Sequence, residues 1–196
     1  MKKIFIILFL TILLNSCVGS SSRGLFGTGV SVALDPRTLG TQIDDSIMEK
    51  NLKARLVLTE KKYLLKISTK VLDGRIFLSG KVDEPEEKIK ITKLAWETKG
   101  VRSVKNNIAI KEKFSFKKTA IDVLITSQLK TALIFNKNVK AANFNIDTIN
   151  KKTYVFGIAH SEDEKQEIVQ EAKQIVDLEE LVTSILIVSE LSRQRE

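Results

Sequence analysis

The sequence predicts an α+β fold of two tandem domains, each with the element order α-β-β-α-β and a three-stranded sheet covered by two helices. The main observation is an internal repeat. Shifting the chain by 77 positions places Gly80 on Gly157 and aligns apolar positions on both sides, so residues 43–110 and 120–187 are two copies of one unit. Helical and strand periodicities also alternate in the same order within each copy. Each copy is therefore expected to form a two-layer core of its own, and the short link places the two domains side by side.

The first element of copy one is predicted to be a helix over "DDSIMEKNLKARLVL", residues 44–58. Ile47, Leu52 and Leu56 recur at steps compatible with 3.6 residues per turn, and we expect them to be buried.

A β-hairpin is predicted next, in "LKISTKVLDGRIFLSGKV". Asp73-Gly74 is a two-residue turn signal between strands rich in β-branched residues. Alternation assigns Ile76, Leu78, Gly80 and Val82 to one buried face of the second strand. A glycine within a strand indicates close approach of another element, which we expect to be a helix.

The remaining elements are a helix over "EPEEKIKITKLAWETKG" and a strand over "VRSVKNNIAI". Pro85 suits a first helical turn, Gly100 suits a helix end, and Trp96 is expected to pack inside. Copy two repeats the order with Asn150-Lys151 in its turn. Ser161 and Glu164 there have the spacing of a capping box at the start of the second helix.

The amino terminus has the features of an export signal over residues 1–16. Two lysines precede an apolar run from Ile4 to Leu14, which is shorter than the roughly 20 residues needed to span a bilayer. The following "LNSC" resembles a lipobox, so Cys17, the single cysteine of the chain, is expected to become an acylated first residue. An ordinary secreted protein with an unpaired cysteine is the alternative, although an unpaired thiol has little use in an oxidising compartment. Residues 17–42, rich in Ser and Gly near their start, are then a flexible tether that includes "DPRTLGTQIDD".

The sequence offers no set of residues for catalysis. His160 is the single histidine of the chain, which excludes histidine-based dyads, triads and zinc clusters, and it is expected at a strand-to-helix corner. Two acidic clusters stand at helix starts, where caps and the helix dipole account for them. We expect no enzyme activity, no metal and no cofactor. The clusters comprise Asp83, Glu84, Glu86 and Glu87 in copy one, and Glu162, Asp163 and Glu164 in copy two.

Positive charge is concentrated in the first half of copy two. Residues 113–152 hold eight lysines against two acids, whereas residues 153–196 hold ten acids against four cations. An exported chain does not meet nucleic acid, so the expected partner of this basic end is an anionic membrane surface.

The first helix of copy two carries the predicted contact. Winding residues 116–135 at 100° per residue gathers a core stripe of Ile121, Leu124, Ile125, Leu129, Ala132 and Phe135 on one side. Apolar residues and lysine alternate on the opposite side, as expected of a helix at a membrane interface. The alternative is that Val123 and Ile134 pack on the other domain or are isolated surface hydrophobic residues. The predicted lipid-binding residues, including flanking lysines, are Phe116, Lys117, Lys118, Val123, Ser127, Lys130, Ile134, Lys137 and Lys140.

The element order, the glycine of the second strand and the "GVRSV" entry to the third strand resemble the BON domain. The segment "DPRTLGTQIDD" resembles the one that precedes the first BON domain in outer-membrane lipoproteins with two such domains. Copy two departs from the family pattern at Lys151, where a glycine is usual. The resemblance divides the chain into a first BON domain over 43–112, a second over 113–190 and a tail over 191–196.

This resemblance implies a lipid-anchored protein on the periplasmic face of the outer membrane that binds anionic phospholipid through its second BON domain and supports envelope integrity. The alternative function is an adaptor that binds envelope proteins and uses its anchor only for localisation. The resemblance implies outer-membrane assembly or division-site proteins as the partners in that case.

Replacing Cys17 by serine tests the lipobox. Because serine cannot form the thioether, we expect Cys17→Ser to yield an unprocessed or mislocalised precursor that incorporates no radiolabelled palmitate. Labelling equal to that of the wild type would contradict acylation at Cys17.

Overall fold

The computed structural model of the chain describes residues 35–111 and 115–192. Residues 34–196 form one compact unit. The predicted export signal, Cys17 and most of the predicted tether lie outside the described residues.

The first domain folds in the predicted order, with one extra helical turn before the first strand. The first helix begins at Leu39, where Thr38 caps it by accepting a hydrogen bond from the Thr41 amide, so residues 39–42 are helical although they were predicted as tether. The elements are α1 (Leu39–Thr59), α2 (Tyr63–Lys66), β1 (Ile67–Leu72), β2 (Arg75–Val82), α3 (Pro85–Trp96) and β3 (Ser103–Ile110).

The second domain repeats this order, with a short 3₁₀ turn at Ala141–Asn143 in the place of α2. Its elements are α4 (Phe116–Phe135), β4 (Phe144–Ile149), β5 (Lys152–Ala159), α5 (Glu162–Lys173) and β6 (Glu180–Ile187). The predicted fold class is therefore confirmed.

Each domain has a three-stranded sheet with the second strand of the hairpin at its centre. The strand orders are β1-β2-β3 and β4-β5-β6, in which the hairpin pair is antiparallel and the last strand runs parallel to the central one. The parallel pairing needs a crossover, which α3 provides in domain one and α5 in domain two.

Both hairpin turns depend on a carboxylate from the first helix of the same domain. Asp73 and Gly74 have positive φ values, as a two-residue turn of the primed type requires. The buried Asp45 side chain accepts hydrogen bonds from both turn amides, at 2.7 and 2.8 Å. Asp122 occupies the equivalent position in domain two and accepts from the amides of the Asn150-Lys151 turn, at 2.9 and 2.8 Å. These bonds fix each hairpin to its helix.

The segment before α1 is also fixed to this turn. The Arg37 guanidinium donates to the carboxylates of Asp35 and Asp45 and to the carbonyl of Val71. Because Arg37 and Asp45 are both buried, their pairing satisfies two charges that would be costly to leave alone.

The helical core positions of domain one differ from the prediction at two residues. Leu52 and Leu56 are buried as predicted, but Ile47 is exposed and Met48 takes its place in the core. Trp96, predicted to pack inside, is 53% exposed at the end of α3. The helical period predicts the buried side of α1 only approximately. The hydrogen bonds of Asp45 to the hairpin turn fix the rotation of the helix and therefore which residues face the sheet.

The strand prediction for β2 is correct for one face and incomplete for the other. Ile76, Leu78 and Val82 are buried in the core of domain one, as alternation predicts. Phe77, on the opposite face, is buried as well, because that face packs against domain two.

A third core therefore lies between the domains and joins their sheets. Phe77 stacks on Phe156 with ring centroids 5.5 Å apart, in an arrangement typical of buried aromatic pairs. The chain end contributes to this contact, since Leu191 is buried there and Ser192 donates to the Asp73 carboxylate through its amide and its hydroxyl. The members of this core are Leu72, Phe77, Ile149, Tyr154, Phe156, Ile158 and Leu191.

The close approach predicted at Gly80 is real, and its partner is the backbone where the short helix α2 ends, not the side of a long helix. A Cβ atom built at Gly80 would lie 2.0 Å from the carbonyl oxygen of Lys66, where α2 runs into β1, and Gly80 has φ +133°. The backbone at the junction of α2 and β1 thus excludes a side chain, and the dihedral angle favours glycine independently.

The predicted capping box in domain two forms only in part. Ser161 accepts a hydrogen bond from the Glu164 amide. The Glu164 carboxylate does not complete the box but accepts from the amides of His160 and Lys140, both at 2.7 Å. It ties the loop after α4 to the start of α5, and His160 lies at the strand-to-helix corner as predicted.

Gly80→Val tests the close approach. We expect it to destabilise the protein by roughly 2 to 5 kcal/mol, because it combines a strained dihedral angle with overpacking against backbone. Urea unfolding of residues 18–196, which include the whole compact unit, would measure this. Lys105→Val, at an exposed strand position, is the control and should change stability by less than about 0.5 kcal/mol. Equal unfolding midpoints for the two variants would contradict the packing argument.

Candidate functional site

The predicted lipid-binding residues lie together on α4 and the loop that follows it. All nine side chains are exposed. Seven of them belong to α4, and Lys137 and Lys140 follow its end at Phe135. The structure thus brings the predicted residues to the surface of one helix and the loop after it.

The predicted core stripe of α4 is wrong at two positions. Leu124 is 58% exposed and Phe135 is 80% exposed, whereas Leu133, which the prediction omitted, is buried. The buried side of the helix consists of Asp122, Ile125, Leu129 and Leu133. At 100° per residue, this stripe is rotated by roughly 80° from the predicted one. The cause is Asp122, which must face the sheet to reach the turn amides.

This rotation enlarges the apolar part of the exposed surface. Five large apolar side chains of one helix point away from the core instead of three. They are Phe116, Val123, Leu124, Ile134 and Phe135, each more than half exposed. Single exposed hydrophobic residues are ordinary, but five on one helix form a patch that needs a partner. We call these five residues, together with Lys117, Lys130 and Lys137, the α4 surface.

The lysines of the α4 surface are available to an external anion. Within the part of the chain that the structure describes, Lys117, Lys130 and Lys137 form no ion pair. The equivalent helix of domain one differs, because Lys53, at the position that matches Lys130, pairs with Glu49 at 2.6 Å. Lys53 is therefore neutralised on α1, whereas Lys130 at the matching position of α4 is left uncompensated.

A cleft of about 450 Å³ lies beside the α4 surface, between the two domains. Val123 and Ser127 of α4 line it on one side, and Lys66 and Lys81 of domain one line it on the other. Val123 thus faces domain one across a gap, in partial agreement with the alternative that it packs there. Ile134 does not line this cleft.

Asp83 lies between three lysines near the rim of this cleft. Its carboxylate accepts from Lys66 at 2.8 Å and from Lys62 at 3.4 Å, and it lies 3.6 Å from the ammonium of Lys111. The hydrogen bond from Lys66 contributes most to lowering the pKa of Asp83 to about 2, and Lys62 and Lys111 lower it further. Lys62 also pairs with Glu60 and Glu87, so Asp83 mainly serves Lys66 and Lys111, which share it.

In each acidic cluster at a helix start, one carboxylate accepts hydrogen bonds from backbone amides. Glu87 accepts from the amides of Asp83 and Glu84 and pairs with Lys62, which lowers the pKa of Glu87. Glu164 has the equivalent role in domain two. Among the residues in 35–111 and 115–192, no group of three His, Cys, Asp or Glu side chains is placed to hold a metal ion. In the same ranges, no helix is long and apolar enough to cross a membrane.

Sequence reasoning missed the exposed Leu39, Ile43, Ile47 and Leu58 of α1 and two further exposed apolar groups in domain one. Leu64 and Leu65 are exposed on α2, and Leu65 reaches 91%. The run "KKYLLK" carries the signal, since two leucines between lysines are unlike the "NVKAAN" at the matching place in domain two. Ile89 and Trp96, seven residues apart on α3, form the second exposed group.

Comparison with known proteins agrees with the two-domain architecture. The model of the BON domain family matches residues 44–112 and 121–188. The outer membrane lipoprotein DolP of Haemophilus influenzae is 32% identical over 161 residues, which cover 80% of this chain and 81% of that protein. A protein of Anaplasma centrale, described as an uncharacterized protein in the gshII 5′ region, is 30% identical over 120 residues, covering 61% of this chain and 80% of the other. The 21 kDa hemolysin of Actinobacillus pleuropneumoniae is 29% identical over 125 residues, covering 63% and 64%.

Lys66→Gln tests the charge balance around Asp83. Loss of the hydrogen bond from Lys66 should raise the pKa of Asp83 from about 2 towards the ordinary value near 4. The pKa is measured by an NMR titration that follows the chemical shift of the Asp83 carboxyl carbon. Because the folded pKa is the lower one, the stabilisation is complete above about pH 4 and is lost as the pH falls through 2. Lys93→Gln, on α3, is the control. An unchanged pKa in Lys66→Gln would contradict the assignment.

Proposed function

Because the chain belongs to the BON-domain family, as a dual-BON protein similar to the outer membrane lipoprotein DolP, we propose that it is a lipid-anchored envelope protein that binds anionic phospholipid through its second domain. Outer-membrane location, attachment through Cys17 on the periplasmic face and a role in envelope integrity are parts of this proposal. The proposed domain limits are 43–112 and 113–190.

The α4 surface is the observation that carries the proposal. Its apolar side chains can enter the boundary between headgroups and acyl chains, while its unpaired lysines approach anionic headgroups. A lysine near an anionic leaflet contributes about 1 kcal/mol, so three of them add to the transfer of the apolar groups. The apolar side chains of the α4 surface are exposed and its lysines form no ion pair within the described residues, so both can contribute to membrane binding.

The contrast between the two copies supports assigning binding to domain two. The helix α1 carries Ser46, Lys50, Lys53 and Val57 at the places of Val123, Ser127, Lys130 and Ile134. The helix α1 also exposes Leu39, Ile47 and Leu58, at the places of Phe116, Leu124 and Phe135, so it is less apolar than α4 mainly at Ser46. The clearer difference is in charge, because Lys53 is neutralised by Glu49 and Lys130 is unpaired among the described residues. A membrane would therefore engage α4 before α1.

A second candidate function is that of an adaptor for envelope proteins, and one observation favours it. Ile89 and Trp96 are exposed on one side of α3, and tryptophan is enriched where protein interfaces are most strongly bound. A partner that binds there would use domain one and leave the α4 surface free.

Flotation with vesicles separates the two functions. Residues 18–196 should float with vesicles that contain phosphatidylglycerol and not with vesicles of phosphatidylcholine alone. Lys130→Glu should reduce the partition coefficient by roughly 30-fold at low salt, because an attraction of about 1 kcal/mol becomes a similar repulsion, and the loss should shrink as salt screens it. Ile134→Glu should reduce binding at every salt concentration, because it removes apolar area.

The matched control is Lys50→Glu, the same charge change at an exposed position of α1. It should float nearly as well as the wild type, and circular dichroism should show all variants folded. Equal losses in Lys50→Glu and Lys130→Glu would refute a specific α4 surface. Flotation unaffected by any change in α4, with binding of an envelope protein lost in Trp96→Ala, would favour the adaptor.

A further inference from the structure

The cleft between the domains combines cationic, polar and apolar groups from both copies. Domain one contributes Lys66, Gly80, Lys81 and Lys111. Domain two contributes Thr119, Asp122, Val123, Thr126, Ser127, Thr148 and Ile149. Its volume of about 450 Å³ lies within the range of small-molecule sites.

The three lysines that line the cleft, Lys66, Lys81 and Lys111, are each positioned by contacts with neighbouring side chains. Lys66 and Lys111 share Asp83, which lies outside the lining. Lys81 donates to the side-chain oxygen of Asn150 at 2.8 Å and lies 3.6 Å from Asp122. Because Asp122 is already engaged with two turn amides, its charge is only partly available to Lys81. Positioned ammonium groups with incomplete neutralisation are suited to an incoming anion, and hydrogen bonds between charged groups are strong.

The opposite wall of the cleft carries hydroxyl groups and the Asp122 carboxylate with two apolar side chains among them, and it continues onto the α4 surface. Val123 belongs to both, and Ile149 lies deeper, at the end of β4. The neighbouring Thr119 and Ser127 are exposed hydroxyl residues of α4. An anion with an attached hydrocarbon chain could therefore place its charge at the lysines and its chain along Val123 towards the membrane.

We propose that this cleft binds the headgroup of a single anionic phospholipid, with its phosphodiester between Lys66, Lys81 and Lys111 and the first part of an acyl chain against Val123. This inference rests on the proposed lipid-binding function and adds a defined site to it. In this proposal domain one takes a direct part in binding the lipid headgroup, through Lys66, Lys81 and Lys111. The concentration of positive charge in domain two does not predict this role for domain one. The cleft is large enough for a phosphoglycerol group and the start of a chain, and the rest of the lipid remains in the leaflet.

The experiment is a titration of residues 18–196 with dihexanoyl-phosphatidylglycerol below its micelle concentration, followed by amide NMR. We expect saturable shifts at Gly80, Lys81 and Ser127. The double variant K66Q/K111Q should bind about tenfold or more weakly, because it loses two charge-assisted contacts. The matched control K61Q/K90Q removes the same charge from lysines that do not line the cleft and should bind like the wild type. T119F leaves the charge unchanged and fills the cleft, so it should also weaken binding.

Three results would overturn the inference. One is equal affinity of K66Q/K111Q and K61Q/K90Q, and another is a set of shifts confined to the outer face of α4. The third is binding of glycerol 3-phosphate as tight as that of the lipid, which would make the cleft a site for free phosphate. Vesicle flotation is measured in parallel: flotation without binding of the monomeric lipid rejects the cleft and keeps the proposed function, whereas loss of both rejects both.

Discussion

The packing of the two sheets against each other through Phe77 and Phe156 is the contact on which the rest of the functional arrangement depends. A single BON unit covers one face of its sheet with helices and leaves the other face open. Here the open faces of β2 and β5 cover each other, so both strands are buried on both sides. This arrangement directs the helices outwards and leaves α4 with one side on its own sheet and the other free. It also places Lys66 and Lys81 of one domain opposite Val123 of the other, which creates the cleft.

Within each domain, one carboxylate sets the rotation of the first helix. A two-residue turn leaves two amides without partners in the ladder, and buried amides are costly to leave unpaired. Asp45 and Asp122 satisfy these amides only if they face the sheet. Hydrophobicity alone would turn Leu124 and Phe135 inwards. The rotation of α4 is instead set by the hydrogen bonds from the turn amides to Asp122, at the expense of burying these two side chains. The apolar surface proposed to meet the membrane is the consequence.

Much of the architecture could be predicted because it is encoded locally. The repeat, the Asp73-Gly74 turn and the alternation in β2 each depend on a few neighbouring residues. The predicted helix stop at Gly100 is wrong, because α3 already ends at Trp96. Predictions failed where residues that are distant in the sequence determine which side chains are buried. Met48 replaces Ile47 in the core because Asp45 orients α1, and Phe77 is buried by the other domain. Gly80 was recognised, but the Lys66 carbonyl that requires it lies across the strand pair. The nine residues predicted on α4 and in the loop after it follow from charge and period along one stretch of chain, whereas the cleft needs three lysines brought together from separate elements.

The divergence of the two copies can be traced to one position of the repeat. In domain one, Glu49 pairs with Lys53 on the helix and accepts from the amide of Val71 on β1, at 2.6 and 3.4 Å. The equivalent of Glu49 in domain two is Thr126, and the equivalent of Val71 is Thr148. Thr126 donates to the Thr148 hydroxyl at 2.8 Å, so the contact between helix and strand is kept without a charge. Because no acid remains beside it, Lys130 is left unpaired, whereas Lys53 is neutralised. An exchange of a carboxylate for a hydroxyl thus preserves the contact between helix and strand and leaves the lysine at this one position of α4 free for an external partner.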